Sequence, residues 1–177
     1  DAQRGLTMAV APPRVTERRR LRITGVVQGV GFRPFVYGLA SRHSVAGYVL
    51  NDGGGVLIEA EGGAGALDEF ATAIAEESPA LARVDTITVD PIEARGDHRF
   101  RIERSAGGEP TALVPADVAT CGQCLGELFD PADRRHRYPF INCTQCGPRF
   151  TIVESVPYDR PNTTMARFAM CEACRAE

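Results

Sequence analysis

Between Leu21 and Val27 the residues Leu21, Ile23, Gly25 and Val27 alternate with Arg22, Thr24 and Val26, and this period of two predicts a half-buried strand. A glycine-bearing turn, Gln28 to Phe32, leads into Phe35, Val36, Leu39 and Ala40 at helical spacing, with Pro34 suited to a first helical turn. Tyr48 to Leu50 and Val56 to Glu61 flank Asn51-Asp52-Gly53-Gly54-Gly55, whose turn residues predict a hairpin or a slightly longer connection between antiparallel strands. Leu67, Phe70, Ala71, Ile74 and Ala75 then recur at i, i+3, i+4, i+7 and i+8, with Asp68, Glu69, Thr72, Glu76 and Glu77 opposite them. That is the clearest amphipathic helix of the chain. Val84 to Val89 and Arg99 to Arg104 read as two more strands.

The resulting order, βαββαβ with a short extra strand, predicts an α+β, ferredoxin-like domain over residues 18–104, with two helices on one face of a sheet. Residues 1–17 read as a disordered arm. Met8 inside it opens a plausible start, so the seven residues before it read as an atypical beginning. The run Arg18-Arg19-Arg20 reads as a solvated flank and is assigned no function. Residues 105–115 form a Gly-bearing linker, after which the composition turns to Cys, Pro and Arg with few periodic segments. Residues 116–177 are therefore expected to form a small metal-dependent module.

All six cysteines lie in that module, as three C-x-x-C pairs. Eighteen residues separate the pair Cys121, Cys124 from the pair Cys143, Cys146, which suits a four-thiolate, zinc-ribbon-like site. Four thiolates leave no open position on the metal, so the expected zinc (Zn2+) is structural. A redox dithiol needs one pair on a helix N-terminus rather than two pairs at this spacing. His136 lies between the pairs and is expected at the surface, since four cysteines suffice. Cys171 and Cys174 follow after twenty-four residues, as half of a second site or as free thiols. The words Cys121-Gly-Gln-Cys-Leu-Gly-Glu and Cys171-Glu-Ala-Cys-Arg-Ala-Glu form an outline repeat, which favours half of a second zinc site, cut short.

Charged residues are 24% of the chain and the formal net charge is −3, so no whole-chain field favours nucleic acid or an anionic membrane. No run is apolar for long enough to cross a membrane as a helix. Paired cysteines at metal spacing suit a reducing compartment, and the expected location is the cytoplasm. Arg134, Arg135, Arg137 and Arg149 stand near Tyr138, Phe140 and Phe150, a mixture that raises the question of nucleic acid. Glu127, Asp130 and Asp133 dilute that charge, and nucleic-acid binding is not expected.

The candidate chemistry lies in Val27-Gln28-Gly29-Val30-Gly31-Phe32-Arg33, between the first strand and the first helix. Glycines there permit close backbone approach, and loop amides at a helix N-terminus can converge on an anion. The Arg33 guanidinium at the helix mouth can take two phosphate oxygens at once. Without Arg33 the loop would read as a turn, and Asn51 as part of the Asn-Asp-Gly turn.

V-Q-G-V-G-F-R, with Asn51 eighteen residues after Arg33, resembles the acylphosphatase family over roughly residues 20–104. The resemblance implies that Arg33 and the loop amides of residues 28–33 hold a phosphate and that Asn51 positions the attacking water. Asp130-Pro-Ala-Asp-Arg-Arg, Tyr138-Pro-Phe-Ile-Asn-Cys-Thr, Cys146-Gly-Pro-Arg-Phe-Thr-Ile and Pro157-Tyr-Asp-Arg-Pro are similar to the HypF family of hydrogenase-maturation carbamoyltransferases. That resemblance implies two four-cysteine zinc sites and carbamoyl phosphate as substrate. It also implies ATP-dependent formation of a carbamoyl adenylate and transfer to the C-terminal cysteine of a partner protein, on the way to the cyanide ligands of NiFe hydrogenase. No stretch of these residues is assignable to the ATP or transfer steps, so a part of such an enzyme is expected. The alternatives are a zinc-containing binding module on an inert acylphosphatase fold and a nucleic-acid-binding ribbon.

Overall fold

A computed structural model describes residues 16–107, 111, 113 and 118–176. The expected arm up to residue 15, and much of the expected linker, lie outside the described residues. Among the described residues, five strands and four α-helices follow in the order β1 (Thr16–Val26), α1 (Phe32–Arg42), β2 (Ala46–Asp52), β3 (Gly55–Gly63), α2 (Ala64–Glu76), β4 (Arg83–Ile92), β5 (Phe100–Ile102), α3 (Gly122–Phe129) and α4 (Glu172–Ala176). The strands form one sheet in the order β4-β1-β3-β2-β5, antiparallel except for the β2–β5 pair. This is the expected ferredoxin-like arrangement with its extra strand.

The period-two and helical patterns meet in one core. Leu21 and Ile23 of β1, Val49 of β2, and Val56, Ile58 and Ala60 of β3 pack with Val36 and Leu39 of α1 and with Leu67, Phe70 and Ile74 of α2. Asp52 accepts the Gly54 amide at 2.9 Å through Oδ1, so it is the residue that serves the β2–β3 turn. Asn51 instead stays inside β2, opposite Val56, with the same inward parity as Val49. The edge strand β5 runs parallel to β2, and hydrogen bonds from Glu103 N–H to Val49 O and from Ala106 N–H to Asn51 O extend the pairing to Ser105. That extension brings Ser105 to the end of the sheet where the loop 28–31 lies.

The arginine run corrects the expectation of a solvated flank. Thr16 and Glu17 already belong to β1, and Arg18 is 2% exposed on the sheet face away from the helices. Its guanidinium donates to Glu59 at 2.9 Å, Glu61 at 2.8 Å and Asp97 at 2.6 Å, while Arg20 meets the other Glu59 oxygen at 2.8 Å. The amides of Arg95 and Gly96 cover Glu61. The partners come from β3 and the β4–β5 connection, far along the chain, so a local reading of three arginines could not find them.

Burial alone lifts the Glu59 carboxyl, but hydrogen bonds from Arg20, Arg18 and Tyr48 outweigh it and hold Glu59 below the usual range. Glu61 is likewise lowered against its burial by the Arg95 amide and Arg18, and Arg18 draws Asp97 down. Carboxyls lowered in the folded state contribute stability that is full above their unfolded values and is lost as pH falls through the folded ones. Stability should therefore drop below about pH 4. Arg18→Met, which strands these carboxylates, is expected to cost about 3–5 kcal/mol at pH 7 in urea denaturation and to flatten the acid limb.

Candidate active site and metal centre

The loop between β1 and α1 works because its glycines take conformations that other residues resist. Gly29 has φ +72° and Gly31 φ +76°, both left-handed, and Gly31 is the residue before the first turn of α1. No side chain caps α1, and no acidic residue lies in its first turn. Arg33 in that first turn opposes the helix dipole, so neither the cap nor the charge is explained by helix stability. Val30 and Phe32 turn inward and belong to the core. Gln28 is 1% exposed, and its amide nitrogen donates to Asp52 O at 2.7 Å and Gly55 O at 2.8 Å. Its side chain therefore ties the loop to the β2–β3 turn.

Arg33, Asn51, Gly29 and Gly31 line a cavity of about 320 Å³, and its far wall comes from the second module through Thr144 and Asp159. Asn51 is 2% exposed, and its side-chain oxygen Oδ1 accepts no hydrogen bond from any described residue. A buried, unpaired acceptor costs about 1–3 kcal/mol, so its retention at the cavity wall marks it for a donor that arrives from outside.

The residues that sequence reasoning missed belong to the second module. Asp159 Oδ1 accepts from Arg33 Nη2 at 2.8 Å, its other oxygen accepts from Ser105 Oγ, and Arg33 Nη1 donates to the same serine at 3.3 Å. The Tyr158 amide donates to Gln28 Oε1 at 2.9 Å. A Cβ on Gly31 would lie 2.6 Å from Thr144 Cβ, so the knuckle seats directly against the loop. The word Pro157-Tyr-Asp-Arg-Pro was available in the sequence, but nothing local pairs its carboxylate with an arginine 126 residues earlier. Gly31→Ala should cost about 1–3 kcal/mol in thermal unfolding and weaken phosphate binding in calorimetry. Adding Thr144→Gly should recover only the part due to the clash.

The first four cysteines come together as expected. Sγ separations are 3.6 Å for Cys121–Cys143, 3.8 Å for Cys124–Cys146 and 3.9 Å for Cys143–Cys146, and all four sulfurs lie within 4.8 Å of one another. Thiolates about 2.3 Å from a tetrahedral zinc stand about 3.8 Å apart, so the donor set fits that ion. Burial raises the Cys146 thiol, but backbone amides and the Arg149 guanidinium, 3.2 Å from its sulfur, reverse this and bring it to about 6. Apart from its cysteines the cluster holds Ile141, with Leu128 against it. So small an apolar core makes the thiolates the centre of the module.

Cys171 and Cys174 do not join them. Cys171 is exposed, the Cys174 amide donates to its sulfur at 3.5 Å, and among the described residues no further ligand stands with the pair. His136 is exposed and lies outside the cluster. Arg135 pairs with Glu127 at 3.3 Å and Arg149 is 9% exposed beside Cys146, so two of the four arginines near the knuckles serve the module itself. Among the described residues no helix is long and apolar enough to cross a membrane.

Fold and site together define a ferredoxin-like, acylphosphatase-type domain whose β1–α1 loop is roofed by a four-cysteine finger. Residues 19–102 match the acylphosphatase family and residues 120–153 match the HypF finger. Over 92 residues the chain is 46% identical to an acylphosphatase from Salinibacter ruber, covering 50% of this chain and 96% of the relative. Over 160 residues it is 52% identical to the carbamoyltransferase HypF2 of Cupriavidus necator, covering 88% of this chain and 20% of the relative. The crystal structure of full-length HypF in its phosphate- and nucleotide-bound form is similar over 91% of this chain and 21% of its own, with 45% identity and a TM-score of 0.82. The chain thus belongs to the acylphosphatase family, and the finger that follows is similar to that of HypF proteins. The whole chain spans about a fifth of the length of the HypF relatives it matches.

Proposed function

We propose that this chain binds carbamoyl phosphate and hydrolyses it to carbamate and phosphate, as the acylphosphatase part of a carbamoyltransferase for NiFe hydrogenase maturation. The observation that carries the reading is the unpaired Oδ1 of buried Asn51, on the same cavity as Arg33. Arg33 and the amides of the loop 28–33 take the phosphoryl oxygens and stabilise the charge they carry in the transition state. Asn51 Oδ1 accepts a hydrogen bond from the attacking water and so orients its oxygen on phosphorus. The P–O bond to the carbamoyl group breaks, and carbamate departs with the bonding pair. A carboxylate-type leaving group needs no strong protein acid, and a neutral amide at position 51 avoids repelling the phosphate.

Cys121, Cys124, Cys143 and Cys146 would hold a structural zinc that fixes the roof of this site. Cys171 and Cys174 are half of a second such site, completed by ligands beyond them. Residues 18–104 act as the hydrolytic domain, 105–115 as linker and 116–177 as finger, all in the cytoplasm, where these thiols stay reduced. ATP and the transfer of the carbamoyl group to a hydrogenase-maturation partner belong to other parts of such an enzyme.

The test is phosphate release from carbamoyl phosphate and from acetyl phosphate by the purified chain. Turnover that disappears in Arg33→Ala and Asn51→Ala supports the proposal, and turnover indifferent to Arg33 removes it. A second reading, phosphate binding without turnover, is favoured by the carboxylate of Asp159 on Arg33. An inert protein that still binds phosphate in calorimetry would establish it.

A further inference from the structure

Asp159 occupies the position before the short 3-10 helix Arg160–Asn162, yet its side chain makes no capping hydrogen bond there. An aspartate at a helix start normally accepts a first-turn amide. Here both carboxylate oxygens are engaged elsewhere, one on Arg33 and one on Ser105. The two charged partners are about a quarter exposed, at 23% and 27%, so the pair is accessible to a competing anion. Asp159 is carried at the tip of a loop closed at its base by the Val153–Thr163 bridge and by the Glu154 and Ser155 amides on Asn162 O. The tip is held by the Tyr158 amide on Gln28 Oε1 and the Asn162 amide on Asp159 O, so release of Arg33 by the loop would break contacts at the tip rather than at the base. Arg33, Asp159 and Arg160 also border a second, larger cavity on their other side, of about 780 Å³, which leaves space for the displaced side chain.

We propose that Asp159 is a built-in anion that competes with the substrate phosphate for Arg33, so that binding requires the 153–163 loop to release the guanidinium. The inference rests on the phosphate-site reading and adds a specificity-determining residue from the finger to it. A monoanionic carboxylate gains from Arg33 no more charge interaction than Asp159 already provides. A phosphate dianion, with the loop amides as well, gains more and displaces it. Asp159 thus selects phosphoryl groups over carboxylates and favours departure of the carboxylate product. Two negative groups cannot share one guanidinium at this spacing without repulsion, and the competent fraction of the site multiplies directly into apparent affinity.

The experiment is calorimetric titration of the chain with inorganic phosphate, alongside steady-state kinetics on acetyl phosphate. Asp159→Asn keeps the shape and removes the charge, and it should bind phosphate about fivefold more tightly, corresponding to the release of one partly exposed ion pair. KM should fall with kcat retained, whereas a residue that merely positions Arg33 would show weaker binding and a lower kcat. Asp159→Ser gives a second route to the same loss of charge. Equal or weaker phosphate binding in both variants, with thermal unfolding unchanged, overturns the inference. Should either variant fold poorly, hydrogen exchange on the unaltered chain decides: saturating phosphate should speed exchange of the Tyr158 and Asn162 amides, and unchanged or slower exchange overturns it. If the unaltered chain binds phosphate through Arg33 but Asp159→Asn gains nothing, this inference falls alone. If neither binds phosphate, the proposed function falls with it.

Discussion

Asn51→Ala is expected to lower acyl-phosphate turnover on the order of 10²–10³-fold, the loss usual for one positioned transition-state group, without lowering the unfolding temperature. The two readouts separate in opposite directions because of what the native side chain does. A residue kept for folding would have its buried oxygen paired, and its removal would destabilise. Asn51 Oδ1 is buried and has no donor among the described residues, so truncation removes an uncompensated acceptor and should leave stability equal or slightly higher. Asn51→Asp should behave differently again, raising KM because a carboxylate beside the phosphate repels it. Arg33→Ala should match Asn51→Ala in rate loss and abolish calorimetric phosphate binding, and Arg33→Lys should recover little, since an ammonium lacks the planar fork. Phosphate release and thermal unfolding, measured on the same preparations, check all of these. A large drop in unfolding temperature for Asn51→Ala with activity retained would reverse its assignment.

Chelation, or Cys146→Ser, is expected to unfold the finger while leaving the ferredoxin-like core intact. Structural zinc in comparable four-ligand sites supplies on the order of 10–16 kcal/mol, far more than Ile141 and Leu128 can contribute by burial. The core around Leu21, Ile58, Phe70 and Ile74 shares no residue with the finger cluster, so it should keep its own unfolding transition. Native mass spectrometry should count one tightly held zinc per chain before chelation and none after. Far-UV circular dichroism should show loss of the Gly122–Phe129 and Glu172–Ala176 helices, with the signal of the ferredoxin-like core retained. Survival of the finger signal after complete zinc removal would refute a metal-centred module. Because Thr144 and Asp159 come from the same module, chelation should also change phosphate affinity, linking metal occupancy to the site beneath it.

Much of this was written locally. The alternation through Leu21 and Ile23 and the i, i+3, i+4 spacing from Leu67 to Ile74 specify strand and helix because burial of one face is a periodic demand, visible within ten residues. The cysteine spacing names a metal site for a similar reason: a C-x-x-C turn holds two sulfurs on one side of the chain, so a short word encodes a geometry. Arg33 stood out because glycines and a cation at a helix start are poorly explained by helix formation, whereas Asn51 was singled out only by the resemblance to the acylphosphatase family.

Three features depended on tertiary structure. Arg18 looked like one solvated arginine among three until β3 and the β4–β5 connection placed Glu59, Glu61 and Asp97 around it. Asn51 could equally have served its turn until the strand register gave that task to Asp52 and turned Asn51 inward. Asp159 on Arg33 joins two modules across 126 residues of chain. The sequence by itself determined the periodic elements, the metal knuckles and the glycine-bearing turn before α1, because each is decided by neighbours along the chain. Only the tertiary structure decided which charge meets which, since an ion pair depends on distance in space and leaves no period behind in sequence.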